Sequence, residues 1–147
     1  MTPNFYALAR SSFALSTVND ALTLIGASGR RLYVVEISLA GLGTVSAANE
    51  IGVFRSTAGT TGSAAVTVEE VITDTPAQGF TNFTAWSVQP TLTGSGILRL
   101  GVNANGGVYR WVARPGTELE LKSTEQLSIR GITGSSNLSM HVIVAEK

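Results

Sequence analysis

The chain has no cysteine, a single histidine and only two aspartates, and no apolar run approaches the ~20 residues that a membrane-spanning helix needs. Without thiols there is no disulfide to staple the fold and no thiolate to act as nucleophile or zinc ligand. One histidine, His141, cannot build an ordinary zinc site by itself, and two aspartates, Asp20 and Asp74, cannot furnish a carboxylate-rich calcium loop. Charge is scarce as well: charged residues are 14% of the chain, and ten basic ones balance ten acidic ones, so no net field draws nucleic acid or an anionic membrane. Helical periodicity is also missing, since nowhere do apolar residues recur at 3.6-residue spacing over a useful length.

What is present is β chemistry. The 147 residues suffice for one core, and 44% of them are hydrophobic, cut into short stretches by 16 glycines. The strongest local pattern runs from Ile97 to Ala113. Leu98, Leu100 and Val102 alternate with Ile97, Arg99 and Gly101, Asn103-Ala104-Asn105-Gly106-Gly107 can turn the chain, and Val108 to Ala113 follows. The expectation is a hairpin. Upstream, Arg31 to Ala40 reads as a strand with Tyr33, Val35, Ile37 and Leu39 inward and Glu36 and Ser38 outward. Further strands are expected at 21–25, 49–55, 84–89, 118–122, 127–130 and 138–145, and the ambiguous 64–73 is read as extended. A loop then runs from Asp74 to about Asn82, because Pro76 disfavours helix before it.

Turns roughly every ten residues leave no room for helical crossovers. The fold class expected is therefore all-β: an antiparallel two-sheet, jelly-roll-like β-sandwich of about eight to ten short strands, with an immunoglobulin-like sandwich as the rival. Residues 1–12 read as an extended N-terminal arm or edge strand, and 13–147 as a single sandwich domain. The opening residues lack a basic stretch followed by an apolar one, so the protein is expected to be soluble and made in a cytoplasm.

Candidate chemistry is thin. A Ser-His-Asp arrangement would need His141 with Asp20 or Asp74, yet no serine lies in a Gly-x-Ser-x-Gly strand-to-helix elbow, and Gly94-Ser95-Gly96 reads as an ordinary turn. Glu118 and Glu120 share a strand face at a spacing of roughly 7 Å, within the range of glycosidase carboxylate pairs, but Glu-Leu-Glu-Leu-Lys is equally a solvated strand. The Asn103–Gly107 loop does not open a helix and so is no phosphate cradle. No catalytic, metal or cofactor residue is assigned, and the expectation is a protein that is not an enzyme. Tyr109 and Trp111, with Arg110 on the opposite face, can instead anchor a contact or, with Trp86, stack a sugar; core is the stronger reading for Trp111.

The segments Arg30-Arg31-Leu32-Tyr33-Val34-Val35-Glu36-Ile37 and Asn103-Ala104-Asn105-Gly106-Gly107-Val108-Tyr109-Arg110-Trp111-Val112-Ala113, set in a cysteine-free chain rich in Gly, Ala, Ser and Thr, resemble small structural proteins of tailed bacteriophages. The similarity is greatest to head decoration proteins, also called cement or auxiliary capsid proteins, and covers about Leu22 to Val144. The resemblance implies a homotrimer on the outer capsid surface of the virion, with the major capsid protein as partner and no nucleic acid, membrane or small-molecule substrate. As interface residues it suggests Phe5, Tyr6 and Leu8 of the arm, together with Tyr109, Arg110 and Trp111. A carbohydrate- or receptor-binding module of a phage fibre or tail is the alternative, and a small β-sandwich hydrolase comes third.

Overall fold

The computed structural model describes residues 2–57, 59–72 and 75–147. Among them are thirteen strands and no helix: β1 (Asn4–Ala14), β2 (Asp20–Ile25), β3 (Leu32–Leu42), β4 (Ala48–Thr57), β5 (Thr60–Ser63), β6 (Val68–Glu70), β7 (Thr81–Phe83), β8 (Ala85–Val88), β9 (Thr91–Asn103), β10 (Asn105–Val112), β11 (Leu119–Leu121), β12 (Gln126–Thr133) and β13 (Asn137–Glu146). The first sheet has the order β10-β3-β13-β1-β6, with β11 continuing along the edge of β3 that β10 occupies, and the second has the order β7-β2-β12-β4-β9. A small ribbon pairs β5 with β8. Thr73 and Asp74, which fall in the expected extended segment and loop, lie outside the described residues, as does Met1.

All pairings are antiparallel, and none of those found joins two consecutive strands. The chain steps from one layer to the other at nearly every turn, which corrects the hairpin expected over Ile97–Ala113. β9 pairs with β4 in the second sheet and β10 with β3 in the first, so the two strands flank a crossing between layers. Ala104 is buried at that crossing: its N–H donates to Ala47 O at 2.8 Å, and its carbonyl accepts from Gly43 N at 2.7 Å. Asn103 Oδ1 accepts the Asn105 N–H at 2.8 Å, closing the bend locally in the way asparagine side chains favour. Gly94-Ser95-Gly96 is likewise no turn between strands. It lies inside β9 where the register against β4 jumps, with Gly94 and Gly96 at φ +76° and +100°.

The inner faces supply the core. Tyr6, Leu8, Ile37, Leu39, Val142 and Val144 from the first sheet meet Leu22, Leu24, Ile51, Val53, Leu100, Leu127 and Ile129 from the second. Each large side chain so buried stabilises the fold by about 1.5–3 kcal/mol before conformational entropy is counted. Two corrections follow for the first sheet. The segment 1–12, expected as an extended arm or an edge strand, belongs from Asn4 onward to strand β1, which lies between β13 and β6 instead of at the sheet's edge. In β3 a bulge at Val35 inverts the alternation, because Glu36 pairs with Ile143 and Val34 with the very next residue, Val144. Ile37 and Leu39 therefore point inward as expected, while Leu32 and Val34 replace Tyr33 and Val35 in the core.

The long connection from β4 to β9 straps the side of the sandwich opposite the β9–β10 crossing. It lends β6 to the edge of β1 and β7 to the edge of β2. Glu146, almost wholly buried, anchors it by accepting from Gly79 N at 3.0 Å, Phe80 N at 3.0 Å and Arg30 Nη1 at 2.8 Å. Tyr6 completes the anchor, donating its hydroxyl to Pro76 O at 2.6 Å while packing edge-on against Phe80, and burial pushes its phenol pKa upward.

Candidate functional site

His141 and Asp20, considered together for a catalytic triad, do not come together. His141 lies on the outward face of the first sheet, between inward Met140 and Val142. Asp20 lies on the outward face of the second, so the core separates them; Asp74 is outside the described residues. Asp20 is buried and fully engaged: Oδ1 accepts from Arg130 Nε at 2.6 Å, and Oδ2 accepts from Thr23 Oγ1 at 2.6 Å and Ser128 Oγ at 2.5 Å. Such a carboxylate holds strands together. Among the described residues no three His, Asp or Glu side chains gather as a metal site.

The residues suggested for an interface divide between surface and interior. Tyr6 and Leu8 point into the core, because β1 is a paired strand whose even positions face the opposite layer, and neither is open to a neighbour. Trp111 is half-buried and packs on the core as its stronger reading held. Phe5, half-buried, and Arg110, exposed, sit on the outward face of the first sheet, and Tyr109 is 38% exposed at its edge. Trp86 is committed elsewhere: its Nε1 donates to Thr23 Oγ1 at 2.9 Å, its ring meets Phe83 at 4.9 Å, and Gly59 packs so closely that a Cβ there would lie 2.7 Å from the indole.

That outward face is more apolar than a solvent-facing strand surface usually is. The registers line up Arg110, Ser38, His141 and Ala9 in one cross-strand row, Val112, Glu36, Ile143 and Ala7 in the next, and Glu120, Tyr33, Ala145 and Phe5 in a third. Most of these side chains are small or apolar, and Val108 and Val112 beside them are 76% and 47% exposed. A solvent-facing sheet surface is ordinarily polar. Of the charges in these rows, Glu36 and Arg110 neutralise each other through two bonds of 2.7 Å, while Glu120 and Glu69, the partner of Ala7 on β6, stand toward the edges. The signal was present in sequence: Leu138 to Ala145 has no charged residue at either alternating set of positions.

Arg110's hydrogen bonds hold the Glu36 carboxyl below its ordinary value of 4.5, against the opposing push of burial and with help from Ser38. A depressed folded-state pKa means stability that is present above the ordinary value and lost as pH falls through the lower one. Glu36→Gln should therefore melt below the parent protein at pH 7, and the gap should close progressively below pH 4.5. Melting curves at pH 7, 5 and 3 test this, and an undiminished gap at pH 3 would refute the assignment.

Compared with protein-family models, curated proteins and solved structures, the chain matches none.

Proposed function

We propose that this protein works by contact, as a decoration protein that binds the outer surface of a phage head and bridges neighbouring major capsid subunits. The observation that carries the reading is the outward face of the first sheet, where Ala7, Ala9, Ser38, Val108, Val112 and Ile143 form a patch whose central carboxylate, Glu36, is neutralised by Arg110, with further charges such as Glu69 and Glu120 around it. Exposed apolar surface of this kind is characteristic of protein contacts. The interleaved sheet orders, with β13 between β1 and β3 and β12 between β2 and β4, support the finer inference of a jelly-roll sandwich. A bridging protein stabilises a shell by binding the assembled state in preference to the dissociated one.

The proposal includes a trimer, as the resemblance implies, because three equal contacts convert modest single-site affinity into strong avidity. It places the protein on the virion exterior after synthesis in the host cytoplasm. The test is occupancy on purified heads of the encoding phage, together with light scattering, which should report three times the 15.3 kDa chain mass. Ile143→Lys, on the outward face, should reduce occupancy at least tenfold with the melting temperature nearly unchanged. Absence of the parent protein from heads, or full occupancy by the variant, would overturn the proposal.

A further inference from the structure

Phe5, Ala145 and Tyr33 are successive partners across β1, β13 and β3, so their side chains stand in a row on the outward face of the first sheet. The middle member is a single methyl group. Two aromatic side chains thus flank a shallow floor, with their backbones about 10 Å apart, two strand spacings. The resulting slot has a volume of about 400 Å³, and its far wall is β11 and the residue before it, carrying Glu118 and Glu120. Both aromatics are only half-buried, so part of each ring remains open to a partner.

The charges around the slot are not equivalent. Glu120 is occupied by Arg31 Nη1 at 2.5 Å, whereas Glu118 has no ion-pair partner among the described residues. The Lys147 ammonium stands 5.4 Å from the centre of the Tyr33 ring. A cation therefore already uses one aromatic face, held there by the attraction between positive charge and the ring's π electrons.

We propose that this slot receives an arginine side chain from a neighbouring protein, its guanidinium laid over Tyr33 and its charge met by Glu118, with Lys147 as the resident cation that must move aside. Arginine is preferred to lysine because its planar group stacks on a ring and offers a forked pair of donors to a carboxylate. The inference rests on the reading of this sheet face as a contact surface, and it names the chemistry of the partner.

The test uses the intact chain in solution, titrated with N-acetyl-arginine amide and, separately, with the neutral isostere N-acetyl-citrulline amide, while backbone amide NMR shifts are followed. Arginine should give saturable shifts at Tyr33, Glu118 and Ala145, and citrulline should give none. Glu118→Gln should weaken binding about fivefold or more, and Lys147→Ala should strengthen it severalfold by vacating the ring. Equal responses to the two probes, or weaker binding in Lys147→Ala, would overturn the slot. Arginine binding by a protein missing from virions would sink the decoration reading alone, and virion occupancy without any arginine response would sink the slot alone.

Discussion

Asp20→Ala should cost about 3–5 kcal/mol in urea denaturation, a large share of the ~5–15 kcal/mol typical of a domain. The Asp20 side chain is inaccessible to solvent and that of Arg130 is 11% exposed, so deleting the carboxylate leaves a guanidinium with little water to replace its partner. Thr23 Oγ1 and Ser128 Oγ lose their acceptor in the same step. The damage would spread along the outward face of the second sheet, because Thr23 also accepts from Trp86 and Arg130 also donates to Pro90 O at 2.9 Å. Removing both charges together, as in Asp20→Leu with Arg130→Met, should cost less than the single change, since apolar replacement of a whole buried pair is often near neutral. A single-variant loss under about 1 kcal/mol would show that the network is looser than its distances indicate.

Gly41→Ala should be comparably severe, with a loss of about 3 kcal/mol or no folded protein at all. A Cβ at Gly41 would lie 2.1 Å from Asn103 O and 2.5 Å from Ala104 O. Both are backbone atoms at the point where the chain passes from β9 to β10, so no side chain can rotate away and the crossing itself must shift. Gly101→Ala, a few residues earlier in β9, is the control: its nearest contact would be 4.0 Å away and its φ is not in the left-handed region. It should change stability by no more than about 0.5 kcal/mol. Thermal and urea melts of the two variants decide the matter, and a well-folded Gly41→Ala would mean that the layers do not meet so closely.

The alternation of Leu127, Ser128, Ile129 and Arg130, or of Leu119 and Leu121 with their glutamates, was legible because a strand lying on a core has no other way to separate its faces. Pairing was not legible. The pattern at Ile97–Val102 and Val108–Ala113 states that each segment is a strand, but it does not say that their partners are β4 and β3. A flexible Asn-Gly-Gly linker serves a layer crossing as readily as a hairpin. Val35 was misassigned for a related reason: one extra residue inverts the parity of everything before it, and nothing local marks the insertion. At the surface, Phe5 and Arg110 were singled out by residue type, and both lie on the outward face of the first sheet. Tyr33, Ala145 and Glu118 were not joined to them, because their meeting depends on three cross-strand registers at once. The Asp20 network was invisible for the same cause, its members lying as far apart in the chain as 110 residues.

β13 occupies the middle of the first sheet and β12 the middle of the second. While the chain is being synthesised, β1 and β3 emerge early yet lack the strand that will lie between them, and β2 and β4 wait in the same way. Neither layer can close until β12 and β13 have left the ribosome. The nascent polypeptide must therefore carry these apolar edges unpaired while β5 to β11 are made, and join both sheets through contacts between strands distant in the chain.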